Sequence, residues 1–209
     1  MKTRNDSIKN IIRTQVIQAA KNYTLLAGKL YLYVYGNEYF EVLFSVGSFK
    51  HLTGIGSALS AVDFYQKAAS SKLSENQLIF NQQHTVKKAK KKLPCLLRLP
   101  ELTNSTVCVV RDLTTKTLLY KLGVTNLDFT LGMAQPAFIN ELPDGVYLPR
   151  SLRVKDKAIE NSTTGEFIDF IFEKPTNRKD YQYDIMTYRG TDNRPPDCIS
   201  HLIDSSFYK

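Results

Sequence analysis

An α+β fold is the architecture that this sequence predicts, on three observations. Apolar residues near the N-terminus recur at helical spacing. A Gly-Asn pair then separates two aromatic, β-branched runs, and the second half breaks into short strand-like runs between Gly, Pro, Asn and Asp. With 209 residues, 43% of them hydrophobic, the chain can bury one sizeable core. The expected organisation is a single α+β domain over residues 1–190 and a C-terminal extension over 191–209.

The first helix is expected over about 6–27, because Ile8, Ile12, Val16, Ala19, Tyr23 and Leu26 follow one another at steps of three and four. Asp6 or Ser7 can cap its start and Gly28 can end it. Residues 30–35 and 38–44 then read as two antiparallel strands, since Gly36-Asn37 is a two-residue linker that favours a hairpin. Ser57 is the expected cap of a helix carrying Leu59, Val62, Phe64, Tyr65 and Ala69, which places His51 just before a helix start. Residues 81–93 hold five lysines, and Pro94 is expected to stop any helix there. Runs near 96–99, 106–111, 117–122, 127–131, 146–148, 166–173 and 181–188 read as strands of a mainly antiparallel sheet. In the closing extension, Ile199, Leu202, Ile203 and Phe207 can dock back on the domain.

Charge points to an anionic partner. Lys and Arg number 28 against 20 Asp and Glu, a formal +8, so the protein concentrates anions around itself. RNA is the favoured partner, with a host protein or nucleoprotein as the alternative. Cys95, Cys108 and Cys198 are odd in number and widely spaced, which suggests neither a disulfide framework nor a structural zinc site. No apolar run approaches a membrane span, and Arg4, Asp6, Lys9 and Arg13 interrupt any signal-peptide core, so a cytoplasmic location without membrane association is expected. A Walker loop, a dinucleotide fingerprint and a carboxylate cluster are all missing from the sequence, which demotes nucleotide hydrolysis and two-metal chemistry. No cofactor and no metal are therefore expected, and the oligomeric state stays open.

The stretch His51-Leu52-Thr53-Gly54-Ile55-Gly56 carries the most chemistry. An imidazole titrates near neutrality and can move the proton of a ribose 2′-hydroxyl or of a leaving 5′-oxygen. Backbone amides near Gly54, if they open a helix, would favour phosphate. The alternative for His51 is a loop side chain that caps the helix or packs on the sheet. His84 and His201 lie in no motif-like context. Lys87, Lys88, Lys90, Lys91 and Lys92 form a basic stripe if helical, with Lys87 over Lys91 and Lys88 over Lys92; otherwise they are a solvated loop. The tyrosines of the first hairpin offer either base-stacking faces or ordinary sheet packing.

Four blocks, in order, resemble the type 4 family of phage barnase, EndoU, colicin and RelE-like nucleases, found in phages and integrated mobile elements. The first is Tyr39-Phe40-Glu41-Val42 leading to His51-Leu52-Thr53-Gly54-Ile55. Asp63-Phe64-Tyr65 with Lys72-Leu73 follows, then Lys92-Leu93-Pro94. The last is Tyr147-Leu148-Pro149-Arg150-Ser151-Leu152 with Phe170-Ile171-Phe172-Glu173-Lys174-Pro175. The resemblance covers roughly residues 38–185 and implies N-terminal helices packed on a twisted antiparallel sheet, barnase/RelE-like, in a toxin-like ribonuclease. It implies His51, Thr53, Ser151 and Lys174 as catalytic candidates. Gly54, the five lysines, Arg98, Arg150 and Arg153 complete the expected RNA-binding set. The activity expected is metal-independent RNA cleavage by general acid/base transesterification. The alternative is a non-catalytic phage or mobile-element protein that inhibits a host nucleoprotein or binds nucleic acid on the same fold.

Overall fold

The computed structural model describes residues 4–114, 119–135, 145–154, 165–177 and 182–209. Helix α1 (Arg4–Tyr23) buries Ile12, Val16, Ala19 and Tyr23 along one stripe, as the spacing requires. It starts at Arg4, ahead of the expected caps, and it ends at Tyr23. Beyond it Leu26 and Ala27 bond back to the Tyr23 carbonyl as turns. Gly28, at φ +76°, sends its amide to the Phe44 carbonyl and thereby opens the sheet.

Strands β1 (Lys29–Tyr35) and β2 (Glu38–Leu43) form the expected hairpin, in the register Tyr33 opposite Phe40. Those two rings stack with centroids 5.0 Å apart. Helix α2 (Ser48–Thr53) and helix α3 (Ala61–Ala69) follow. Two expectations change here. His51 lies inside α2, near its carboxyl end, and Gly54 at φ +70° terminates that helix instead of preceding the next one. The cap of α3 is Ser60, not Ser57: its hydroxyl accepts from the Asp63 amide at 3.0 Å and donates to the Asp63 carboxylate at 2.7 Å.

Helix α4 (Val86–Leu97) is capped by Thr85 and runs straight through Pro94. Pro94 is exposed on the helix surface, and the expected stop there does not occur. The run at 96–99, expected as strand, is instead the end of α4 and the start of a short 3-10 turn.

The remaining strands are β3 (Cys108–Thr114), β4 (Leu119–Thr125), β5 (Phe129–Ala134), β6 (Val146–Val154), β7 (Glu166–Phe167), β8 (Phe170–Pro175) and β9 (Ile185–Arg189). Residues 117–118 and Tyr181, which fell within expected strands, lie outside the described residues. The order across the nine-stranded sheet is β7-β3-β4-β5-β6-β2-β1-β8-β9. The sheet is mixed, not antiparallel throughout, because β2 and β6 pair in parallel at Glu41–Val146 and Val42–Tyr147. It also curls: Arg111 of β3 reaches across to the Tyr35 hydroxyl at 2.9 Å and to Glu38 at the hairpin tip.

Two cores result. The larger joins α1 to α4 to one face of the sheet through residues such as Tyr23, Phe44, Phe49, Leu93 and Leu131. The smaller holds Leu30, Leu32, Phe170, Phe172 and Tyr183 together with Ile199 and Ile203 of the C-terminal extension. The extension docks through a bridge between Tyr183 and Ile203 and through Phe207, whose ring lies 5.2 Å from that of Phe172.

Candidate active site

Helices α2 and α4 and strand β6 enclose a cleft of about 470 Å³. Its walls carry His51 and Gly54 from α2 and its turn, His84 from the loop before α4, and Lys88, Lys91 and Lys92 from α4. Ser151 and Arg153 come from β6. Among the described residues lining it there is no carboxylate, so the ionisable groups of its wall are cations and imidazoles.

His51 is placed by its neighbours in sequence. Phe49 and Leu52 are wholly buried, which turns His51 outward. Its pKa is held below the ordinary histidine value, first by partial burial, then by the positive charges of Arg150 and Lys50. A neutral imidazole at neutral pH is the form that can accept a proton.

Arg150 reaches this position through a β-bulge. In the β5–β6 ladder Gly132 faces Ser151 and Met133 faces Pro149, so Arg150 has no partner across the ladder and stands out of it, exposed. Because the bulge sets Arg150 near His51, Arg150→Gln removes one of the repulsions that lower the imidazole pKa. If unprotonated His51 is the base, activity should fall along an acid limb that lies below the ordinary histidine value. In the variant that acid limb should move to higher pH. A pH–rate profile checks this, and an unmoved limb would mean that Arg150 does not act on His51.

Lys92 is partly buried in the cleft wall. Its side chain lies along Gly54, where an added Cβ would come within 3.1 Å of the Lys92 Cδ. Burial first, and then the charges of Arg153 and Lys88, push its pKa down to about 8. Because that is below the value in an unfolded chain, the charged ammonium opposes folding at neutral pH, and this opposition fades as pH rises from about 8 towards the unfolded value. A phosphate bound in the cleft would offset the same repulsion.

The expected RNA-binding set divides. Lys88, Lys91, Lys92 and Arg153 line the cleft with Gly54, and Arg150 stands beside His51. Lys87 and Lys90 are exposed on α4 and do not line the cleft, Lys90 turned away from that wall and Lys87 one helical turn before Lys91 at its edge. Arg98 is paired with Glu101 at 2.7 Å and Asp128 at 2.9 Å, outside the cleft lining. The amide of Gly54 is already bonded to the His51 carbonyl, so it caps a helix end and is not a phosphate donor.

The catalytic candidates divide as well. His51 and Ser151 meet in the cleft. Thr53 is fully buried: its hydroxyl donates to the Lys50 carbonyl at 2.7 Å and accepts from the Ile55 amide at 3.1 Å, so it shapes the turn rather than facing the cleft. Lys174 pairs with Leu30 across the sheet, and its ammonium sits 4.4 Å from the centre of the Tyr183 ring. That is the face covered by the C-terminal extension, away from His51. The residue that sequence reasoning passed over is His84, and its only local signal was the helix-capping Thr85 that follows it.

A mixed sheet with helices on one face and a cationic, histidine-bearing cleft between them defines a nuclease-type α+β protein. The family comparison agrees: the model described as phage-Barnase-EndoU-ColicinE5/D-RelE like nuclease4 matches residues 15–188, and the chain belongs to that family. Comparison with curated proteins gives no match, and comparison with solved structures gives none.

Proposed function

We propose that the chain is a metal-independent endoribonuclease of a phage or mobile genetic element, acting on RNA in the host cytoplasm by transesterification. The observation that carries this reading is the cleft itself, in which an imidazole held neutral stands among Lys88, Lys91, Lys92 and Arg153. His51 takes the proton of the ribose 2′-hydroxyl, and the cations meet the charge that develops on the phosphoryl oxygens. The lining supplies ammonium and guanidinium groups where a catalytic metal would need carboxylates.

The purified protein should cut single-stranded RNA in excess EDTA, leave 2′,3′-cyclic phosphate ends, and spare DNA of the same sequence. A magnesium requirement, or equal cleavage of DNA, would overturn the reading. Binding offers a second measurement. Each phosphate contact to a single strand contributes about −0.7 to the log–log salt slope. Converting Lys88, Lys91 and Lys92 to Gln should flatten that slope by up to about 2, while Lys87→Gln with Lys90→Gln should leave it nearly unchanged. Equal effects of the two sets would remove the cleft as the RNA track.

A further inference from the structure

The loop that precedes α4 is built around one side chain. Gly56 and Ile79 exchange backbone hydrogen bonds at 3.2 and 2.8 Å, which pins the loop against the turn that ends α2. The Asn81 carboxamide oxygen accepts the amides of Gln83 and His84, each at 2.9 Å, and the Asn81 amide returns a bond to the His84 carbonyl at 3.1 Å. The imidazole then packs on Gly56, where any Cβ would fall 3.0 Å from His84 Cδ2, and its Nδ1 lies 3.2 Å from the Gly54 carbonyl oxygen. That same Gly54 donates its amide to the His51 carbonyl at 3.3 Å. One residue thus ties both histidines to a single turn, and both line the one cleft.

A carbonyl oxygen can only accept, so Nδ1 carries the hydrogen and Nε2 is the nitrogen left to exchange a proton. We propose that His84 is a second catalytic residue, the general acid that completes the reaction His51 begins; this rests on the ribonuclease reading above. His51 removes the 2′-hydroxyl proton as the oxygen forms its bond to phosphorus. The bond from phosphorus to the 5′-oxygen breaks, and His84 Nε2 delivers a proton to that oxygen. The products are a 2′,3′-cyclic phosphate and a free 5′-hydroxyl, with His51 left protonated and His84 neutral until both exchange protons with water. Asn81 is a positioning residue for this acid.

The test separates leaving groups. A nucleotide 5′-oxygen needs a proton to depart, whereas p-nitrophenolate does not. His84→Asn keeps an amide donor near the position of Nδ1 and removes Nε2. It should slow cleavage of a mixed-sequence RNA oligonucleotide by about 10²–10⁴-fold while leaving turnover of the nucleoside 3′-(p-nitrophenyl phosphates) near the wild-type rate. His84→Ala should give the same pattern, and thermal melting confirms that each variant is folded. His51→Ala should lose both activities. If wild-type protein cleaves RNA and the His84 variants lose both substrates equally, or keep both, His84 is not the acid and the ribonuclease reading survives. If the folded wild-type protein cleaves neither substrate, the ribonuclease reading itself falls, and this assignment with it.

Discussion

Replacing His51 with alanine should reduce RNA cleavage by about 10²–10⁴-fold, the usual contribution of a positioned proton-transfer group. The fold should barely notice. The side chain is exposed at the carboxyl end of α2, while Phe49 and Leu52 on the buried side hold the helix in place. A stability change within about 0.5 kcal/mol is expected for a surface substitution of this kind. Single-turnover cleavage and a urea titration of the same preparation decide the matter. Full activity in the folded variant would remove His51 from the mechanism, and a collapse of stability would make it a structural residue.

Two positions earlier the expectation is reversed. Phe49 is wholly buried, with its ring centroid 5.3 Å from that of Tyr23, 5.5 Å from Tyr65 and 6.3 Å from Phe64. This aromatic cluster fastens α2 to α1 and α3, so Phe49→Ala opens a cavity where three elements meet. A loss of about 3–5 kcal/mol is expected, read as a lower denaturant midpoint with an unchanged slope. Cleavage should weaken too, because the helix that presents His51 loses its anchor. A loss below about 1 kcal/mol would mean that the surrounding rings collapse into the space.

What the sequence made legible follows from how local each signal is. The hairpin was readable because alternation and a Gly-Asn turn are complete within residues 30–44. The stripe of α1 was readable for the same reason. Between His51 and Asp63, by contrast, Ser57 and Ser60 both offer a cap, and the wrong one puts His51 before a helix instead of inside one. The deciding signal was present in the Ser60-to-Asp63 spacing, which forms a reciprocal cap. Lys174 lies apart from the cleft for a different reason. Alternate residues of a strand point to opposite faces, so a one-position difference from Glu173 sends Lys174 to the tail-covered side, and no local pattern reveals which face a site will occupy. His84 was invisible because its partners, Gly54 and Gly56, lie about thirty positions away.

The parallel pairing of β2 with β6 also fixes when during its synthesis the chain can complete its cleft. The helices and the first hairpin rest on near neighbours and can form as soon as they leave the ribosome. The β6 wall, from Ser151 to Val154, can join them only after the intervening strands have been made. The β1–β8 ladder closes later still, with Lys29 and Glu173 meeting across 144 positions. A nascent chain that stops before Val154 carries His51 and the lysines of α4 but not the whole β6 side of the cleft, so the cleft is assembled only once that strand has been made.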